Sequence, residues 1–453
     1  MPLATALREG LTHYDLAKFR QDATAGLIVS LVALPLSMAL AIAVGLPPQH
    51  GLYTAIVAGI VTALCGGSRF QVSGPTAAFV VILAPIVAEH GLRGIIWCQI
   101  IAGIMLLALG VSRLGKAINY VPHAVTTGFT TGIAVVIATI ALTDLFGLPS
   151  GFAAHWLDKM AHLISHAGAI DLATLALGAV SIAVMIAVPR FNKLIPGPLV
   201  AMLIATGLAY ALNRNGFDIA TIGSKFTYIG KDGLDHAGVP PYPPQLNLPG
   251  GSNPLFALPS MAELRAWFTP ALVIAALAAL ESLLSATIAD KMSGTKHDPN
   301  AELNGIGLGN IASGLVAGIP ATGAIARTAT NIAAGAVSPL SSIIHAVLLV
   351  IYMLALSPLI AYVPMTALSA LLLMTAWRMS HVKDFMAVAK GNNKGDAAVL
   401  LVCFGLTVLI DMVAGVVTGM ALATLLYLNS RDAVAVEPDS LWKRLGRKLR
   451  FWK

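Results

Sequence analysis

Charge is scarce in this sequence. Only 11% of its 453 residues are Asp, Glu, Lys or Arg, against roughly a quarter in a water-soluble domain. Cysteine is scarce too. Cys65, Cys98 and Cys403 stand apart in apolar sequence, at spacings that fit neither a disulfide framework nor a metal site. Inert buried thiols are expected. Also missing are HExxH, G-x-S-x-G, a Walker A loop and a Rossmann fingerprint, which argues against zinc proteolysis, serine hydrolysis, ATP-driven pumping and dinucleotide chemistry. The chain is not expected to be an enzyme or to carry a cofactor. No cleavable signal precedes the first apolar run, which reads as a span itself.

What is abundant is apolar sequence. Hydrophobic residues make up 57% of the chain, and its mean hydropathy is +0.81. Apolar runs of about 16–25 residues recur from end to end, and roughly 20 residues cross a bilayer as a helix. A β-barrel would alternate polar and apolar residues, and these runs do not. The expected spans lie near 23–45, 50–66, 75–89, 92–112, 118–147, 170–189 and 196–213, then near 269–291, 303–319, 323–336, 339–358, 364–378, 395–411 and 412–430. A Gly/Pro-rich polar loop, 214–268, separates the two sets. The net charge of +7 sits at chain ends and in loops rather than in a nucleic-acid-binding stripe. Arg8, Lys18 and Arg20 come before the first span, and the tail 431–453 is basic. The positive-inside rule puts both ends, 1–22 and 431–453, in the cytoplasm. An even span count follows, which favours 14 over 13.

The halves 23–213 and 269–430 echo each other. Tyr120-Val121-Pro122 opens the fifth span, and Tyr362-Val363-Pro364 opens the twelfth. Pro75 and Pro320 recur at nearly the same separation. Seven segments per half turn the second half upside down, the inverted-repeat plan of secondary transporters. The expectation is an all-α polytopic membrane protein with a 7+7 inverted repeat and half-helices at segments 3 and 10. Those two segments are short and follow the runs Gly66–Thr76 and Gly318–Ala324. Backbone of that kind cannot face lipid. Each half-helix start would point unpaired N–H groups and a positive dipole end at the midplane, and two such ends form an anion site. A pair of kinked helices without a ligand is the plainer alternative. The expected binding residues are Thr76, Ala77, Ala78 and Phe79 with Gly323, Ala324, Ile325, Ala326 and Arg327.

Glu281 falls near the middle of the eighth span, where a carboxylate costs a few kcal/mol. It reads either as a protonatable coupling residue, with Ser285 one turn away, or as a structural acid paired to a base. Arg327 reads either as a substrate contact or as a buried partner of Glu281. Asp290 and Lys291 read as interfacial, Asp411 as a helix-junction residue and His345 as a packing histidine. Asp158, His162 and His166 share helical spacing in a connecting loop, and metal binding is not expected there.

Taken together, Gly45–Tyr53, Gly66-Gly67-Ser68-Arg69, Val72–Ala78, Glu281-Ser282-Leu283-Leu284, Glu302-Leu303, Gly307-Leu308-Gly309-Asn310 and Ala326–Asn331 resemble the SulP (sulfate permease) anion transporters over about residues 15–430. Within the family, Ile219–Phe226 and Ala370–Trp377 are similar to bacterial C4-dicarboxylate carriers. The resemblance implies a mobile core and a gate domain, elevator-type movement, and a substrate between segments 3 and 10. It implies proton-coupled uptake of succinate or fumarate across a bacterial inner membrane. The alternatives are sulfate or bicarbonate at the same site, a nucleobase permease of the same architecture, or a channel. Sodium-coupled bicarbonate members carry Asp at the Glu281 position and Thr at the Ser285 and Ile325 positions. Ile325 has no side-chain oxygen, so sodium is not expected. The family's C-terminal STAS domain is not expected in the short tail. The expected partners are a small anion and the lipid bilayer, with a homodimer as an option and no nucleic acid.

Overall fold

The computed structural model describes residues 3–12, 14–115, 122–149, 156–192, 195–230, 232–391 and 393–432. Tyr120, Val121 and the basic tail beyond Asp432 lie outside them. Helices cover the expected apolar runs. The first half holds α1 (Thr5–Gly10), α2 (Leu16–Ala43), α3 (Gln49–Cys65), α4 (Val80–Val111), α5 (His123–Leu145), α6 (Trp156–Ser165), α7 (Leu172–Phe191) and α8 (Gly197–Arg214). Next come α9 (Ile222–Lys225), α10 (Met261–Ser293), α11 (Pro299–Leu315), α12 (Ile325–Ala333), α13 (Leu340–Ile360), α14 (Met365–Met379), α15 (Val382–Ala389), α16 (Lys394–Leu409) and α17 (Met412–Asp432). Among the described residues, six helices are long and apolar enough to cross a membrane by length and composition.

Several boundaries differ from the sequence reading. The expected third and fourth segments form one helical stretch broken at Gly91, whose φ of 61° and ψ of −161° interrupt α4. Helix α2 starts at Leu16, because Asp15 caps it by accepting from the Lys18 N–H at 2.8 Å. Its first turns therefore contain Lys18, Arg20 and Asp22. Asp22 is buried and accepts from Tyr14 and from the Val337 and Ser338 N–H groups, which ties α2 to the turn before α13. The stretch read as a connecting loop around Asp158 is helix α6. Within the 214–268 loop, β2 (Thr227–Ile229) pairs antiparallel with β3 (Asp235–Ala237).

Contacts divide the chain into two compact units. One contains residues 1–120 and 133–380, the other 121–132 and 381–453. In the larger unit, α11 packs between α3 and α4 through glycine. A Cβ on Gly103 would lie 2.7 Å from the Gly307 carbonyl oxygen, and one on Gly309 would lie 2.6 Å from Thr62 Oγ1. Close backbone approach of this kind is how helices associate in lipid, where burial alone supplies little drive. The smaller unit follows the same rule: a Cβ on Gly128 would meet the Leu400 carbonyl oxygen at 2.7 Å.

Candidate functional site

The two broken-helix leads meet in the larger unit. Strand β1 (Ser73–Gly74) pairs antiparallel with β4 (Thr322–Gly323), in the register Ser73↔Gly323 and Gly74↔Thr322. Two residues on each side bring together segments separated by most of the chain. Beyond this ribbon, the first lead opens into a 3₁₀ turn, Ala77–Phe79, that runs into α4. The second opens into α12.

Each lead is braced largely by the other half. Glu302 on α11 accepts from the Gly67 and Ser68 N–H groups, both at 2.9 Å, and from Gln71 Nε2 at 2.5 Å. Thr328 Oγ1 accepts from the Val72 N–H at 3.1 Å, and Asn331 Nδ2 donates to the Phe70 carbonyl at 2.9 Å. In return, Thr54 on α3 bonds both the N–H and the carbonyl of Ile319, and Gln99 on α4 donates to the Gly318 carbonyl. Asn310 completes the second lead by bonding the N–H and carbonyl of Ala321, each at 2.9 Å. Irregular backbone inside a bilayer needs partners of this kind. The sequence reading missed Glu302, Thr54, Gln99 and Asn310 in this role: the first three act on backbone groups far away in sequence, and Asn310 acts across the turn to Ala321.

Glu281 and Arg327 flank Pro75-Thr76 without pairing to each other. Thr76 Oγ1 donates to Glu281 Oε2 at 3.0 Å. Arg327 Nη2 donates to the Pro75 carbonyl at 2.6 Å. Arg327 is 2% exposed, and its Nε and Nη1 have no partner among the described residues. Gly74 makes room for it, because a Cβ there would lie 2.6 Å from Arg327 Nη1. Glu281 makes no ion pair among the described residues. Arg327 is thus held by backbone, and Glu281 by the Thr76 hydroxyl rather than by a cation.

The second helix start differs from the expectation in one respect. The Gly323 N–H donates to Ser282 Oγ at 3.0 Å, and the Ala324 N–H donates to the Val72 carbonyl at 3.0 Å. Those two donors are already used, so the open N–H groups begin at Ile325. No side chain caps α12. Ile325 is 36% exposed and Ala326 is exposed beside it. Ala77, Ala78 and Phe79 are buried, and no side chain caps their turn either. By contrast, Asp171, Ser260 and Asp298 cap α7, α10 and α11.

Ser285 also departs from its expected role. It donates to Thr328 Oγ1 at 3.3 Å rather than joining Glu281. Ser282, one position past Glu281, is the residue on the seam: it bonds Thr322 Oγ1 at 3.0 Å as well as Gly323. Residues 278, 282 and 285 form one stripe facing β4 and α12, and Glu281 sits beside that stripe toward Thr76. His345 is fully buried, and neither ring nitrogen has a partner among the described residues, so it is not the satisfied packing histidine expected. Asp411 accepts from the Ala414 N–H at the head of α17, and Asp290 accepts from His297. His162 Nε2 bonds the Pro149 carbonyl, and its ring lies 4.2 Å from that of His166.

The sulfate permease family model matches residues 19–403. A putative sulfate transporter of Bacillus subtilis, YvdB, is 39% identical over 417 residues, covering 92% of this chain and 75% of that protein. The bicarbonate transporter BicA of Picosynechococcus is 28% identical, covering 90% of this chain and 70% of its own length. The solved transmembrane domain of a cyanobacterial BicA superposes with a TM-score of 0.77 at 25% identity, covering 92% of this chain and all of that one. SLC26A9 shares the fold, with a TM-score of 0.81 at 17% identity over 95% of this chain and 68% of its own. Breaks at two matched helix starts, an intramembrane carboxylate and these likenesses agree: the chain belongs to the sulfate permease family of multi-pass membrane anion transporters.

Proposed function

We propose that this protein couples entry of a small oxyanion to entry of protons, with the anion at the uncapped starts of α12 and the Ala77–Phe79 turn and the proton on Glu281. The observation that carries this reading is the Thr76–Glu281 hydrogen bond at 3.0 Å. It places the unpaired carboxylate against the first helix start, so occupancy of the anion site and charge on Glu281 act on each other. An anion there repels an ionised Glu281 and favours its protonated form. Bringing one negative charge inward against 100 mV costs about 2.3 kcal/mol, and a dianion about twice that. Co-transported protons offset this cost. Elevator-type movement of a mobile core carrying both starts is the accompanying conformational step.

For the substrate we propose a C4-dicarboxylate such as succinate or fumarate, on the similarity of Ile219–Phe226 and Ala370–Trp377 to carriers of that class. Sulfate is the second reading, favoured by the name of the 39% identical Bacillus subtilis relative. Sodium coupling is disfavoured by Ile325, which offers no oxygen at the start of α12. The test is uptake of labelled fumarate into proteoliposomes, with unlabelled sulfate, bicarbonate and succinate as competitors. Uptake driven by an inward proton gradient and competed by succinate is expected. Competition by sulfate alone would replace the dicarboxylate, and uptake indifferent to the proton gradient would overturn the coupling.

A further inference from the structure

Helix α6 carries a cation that the transport site does not use. Trp156 Nε1 donates to Thr139 Oγ1 on α5 at 2.9 Å and fixes the helix. Lys159, one turn on, shares that inward face. It has no hydrogen bond or ion pair among the described residues, and burial holds its ammonium below the ordinary lysine range. An unpaired ammonium that is partly withdrawn from water is costly, so a structural role leaves its placement unexplained.

Lys159 lines a cavity of about 230 Å³ together with Lys225, His162, Thr143 and Asp144. Lys225 comes from a different element, on an exposed turn whose backbone is held in place. Its turn is closed by the Thr221 capping box, and the backbone around it is tied to the start of α14 by the bonds Ile222 N–H to Val363 O and Met365 N–H to Ala220 O. Asp144 lies close enough to Lys225 to interact with its charge. Within this cavity's lining, one carboxylate faces two ammonium groups. The cavity wall also includes Ala84 and Ala88 of α4. Ala84 is seven residues beyond the Ala77 helix start, about 10 Å along a helix axis. The adjoining cavity, of about 300 Å³, shares Asp144 and Lys225 but is lined by Asp171 and Asp218 as well. Its acidic wall disfavours an anion on that side.

We propose that Lys159 and Lys225 form a second oxyanion-binding site, at the end of the bundle where α2 and α5 finish, which receives the anion before it reaches the broken-helix starts. The site takes sulfate or a carboxylate. The positive-inside reading makes that end the external one. The proposal rests on the anion-uptake reading above. A positive pair lining a recess concentrates anions and raises their rate of entry, an effect that salt weakens.

The experiment is uptake by cells expressing the full chain, using whichever of labelled sulfate, bicarbonate and fumarate the wild type takes up. Lys159→Gln and Lys225→Gln are each expected to raise KM about tenfold at low ionic strength, with maximal rate nearly unchanged and the difference shrinking at high salt. Lys159→Arg should restore the wild-type KM. An unchanged KM in both Gln variants overturns the second site while leaving the transport reading intact. Absence of saturable uptake in the wild type instead overturns the transport reading. Because the two lysines lie on separate elements, loss of folding in one variant leaves the other to decide.

Discussion

The two broken-helix starts differ more than a symmetric repeat suggests. Ala77–Phe79 is buried, and its flanking Thr76 hydroxyl is engaged by Glu281. The start of α12 has Ile325 and Ala326 exposed, with the Arg327 guanidinium turned back onto the Pro75 carbonyl. One start has a carboxylate, Glu281, against it, and the other is the open end. Their leads are nonetheless braced in the same way, by side chains that substitute for missing backbone partners. The common bracing supports rigidity, and the difference at the tips supports a division of labour between proton and anion.

Substitutions can break or sharpen that comparison. Glu302→Ala should have the largest effect, because it leaves the Gly67 and Ser68 N–H groups and Gln71 without their acceptor. At roughly 1–3 kcal/mol for each stranded buried donor, thermal unfolding should show a large fall in Tm. Asn310→Ala strands one N–H, that of Ala321, against three donors, and should cost about a third as much. Equal losses would contradict a bracing that depends on the number of donors. Gly74→Ala should destabilise by roughly 1–3 kcal/mol through overpacking and should also abolish uptake, since its Cβ displaces Arg327. Unfolding together with uptake assays checks both effects. Thr76→Val removes one hydroxyl, costs about 1 kcal/mol, and should shift the pH dependence of uptake rather than its maximum. Ile325→Thr should leave stability unchanged. The sharp question there is whether uptake gains any response to sodium, and none is expected from one added oxygen.

Much of this site was legible in the sequence. Gly66–Thr76 and Gly318–Ala324 stood out because glycine and proline interrupt apolar runs where lipid would forbid loose backbone. Glu281 stood out because a carboxylate in such a run needs a reason. Helical spacing then suggested Ser285 as its neighbour, whereas the structure gives the seam to Ser282 and sends Glu281 to Thr76. Periodicity defines a face only to within a residue or so, and which neighbour wins depends on what packs opposite. Glu302 enters the sequence reading only as part of the family resemblance, and its partners lie over 200 residues away. Lys159 was hidden for a different reason: a ten-residue helix with Asp158 and His162 reads as polar loop until its inward face is seen.

The division of labour between the two starts is tested most directly by anion-evoked proton entry. Proteoliposomes loaded with a pH-sensitive dye are given the transported anion, without an imposed pH gradient. The wild type should acidify the lumen as the anion enters. Glu281→Gln should still move labelled anion but produce no acidification. Equal acidification by the variant would contradict the assignment of the proton to Glu281.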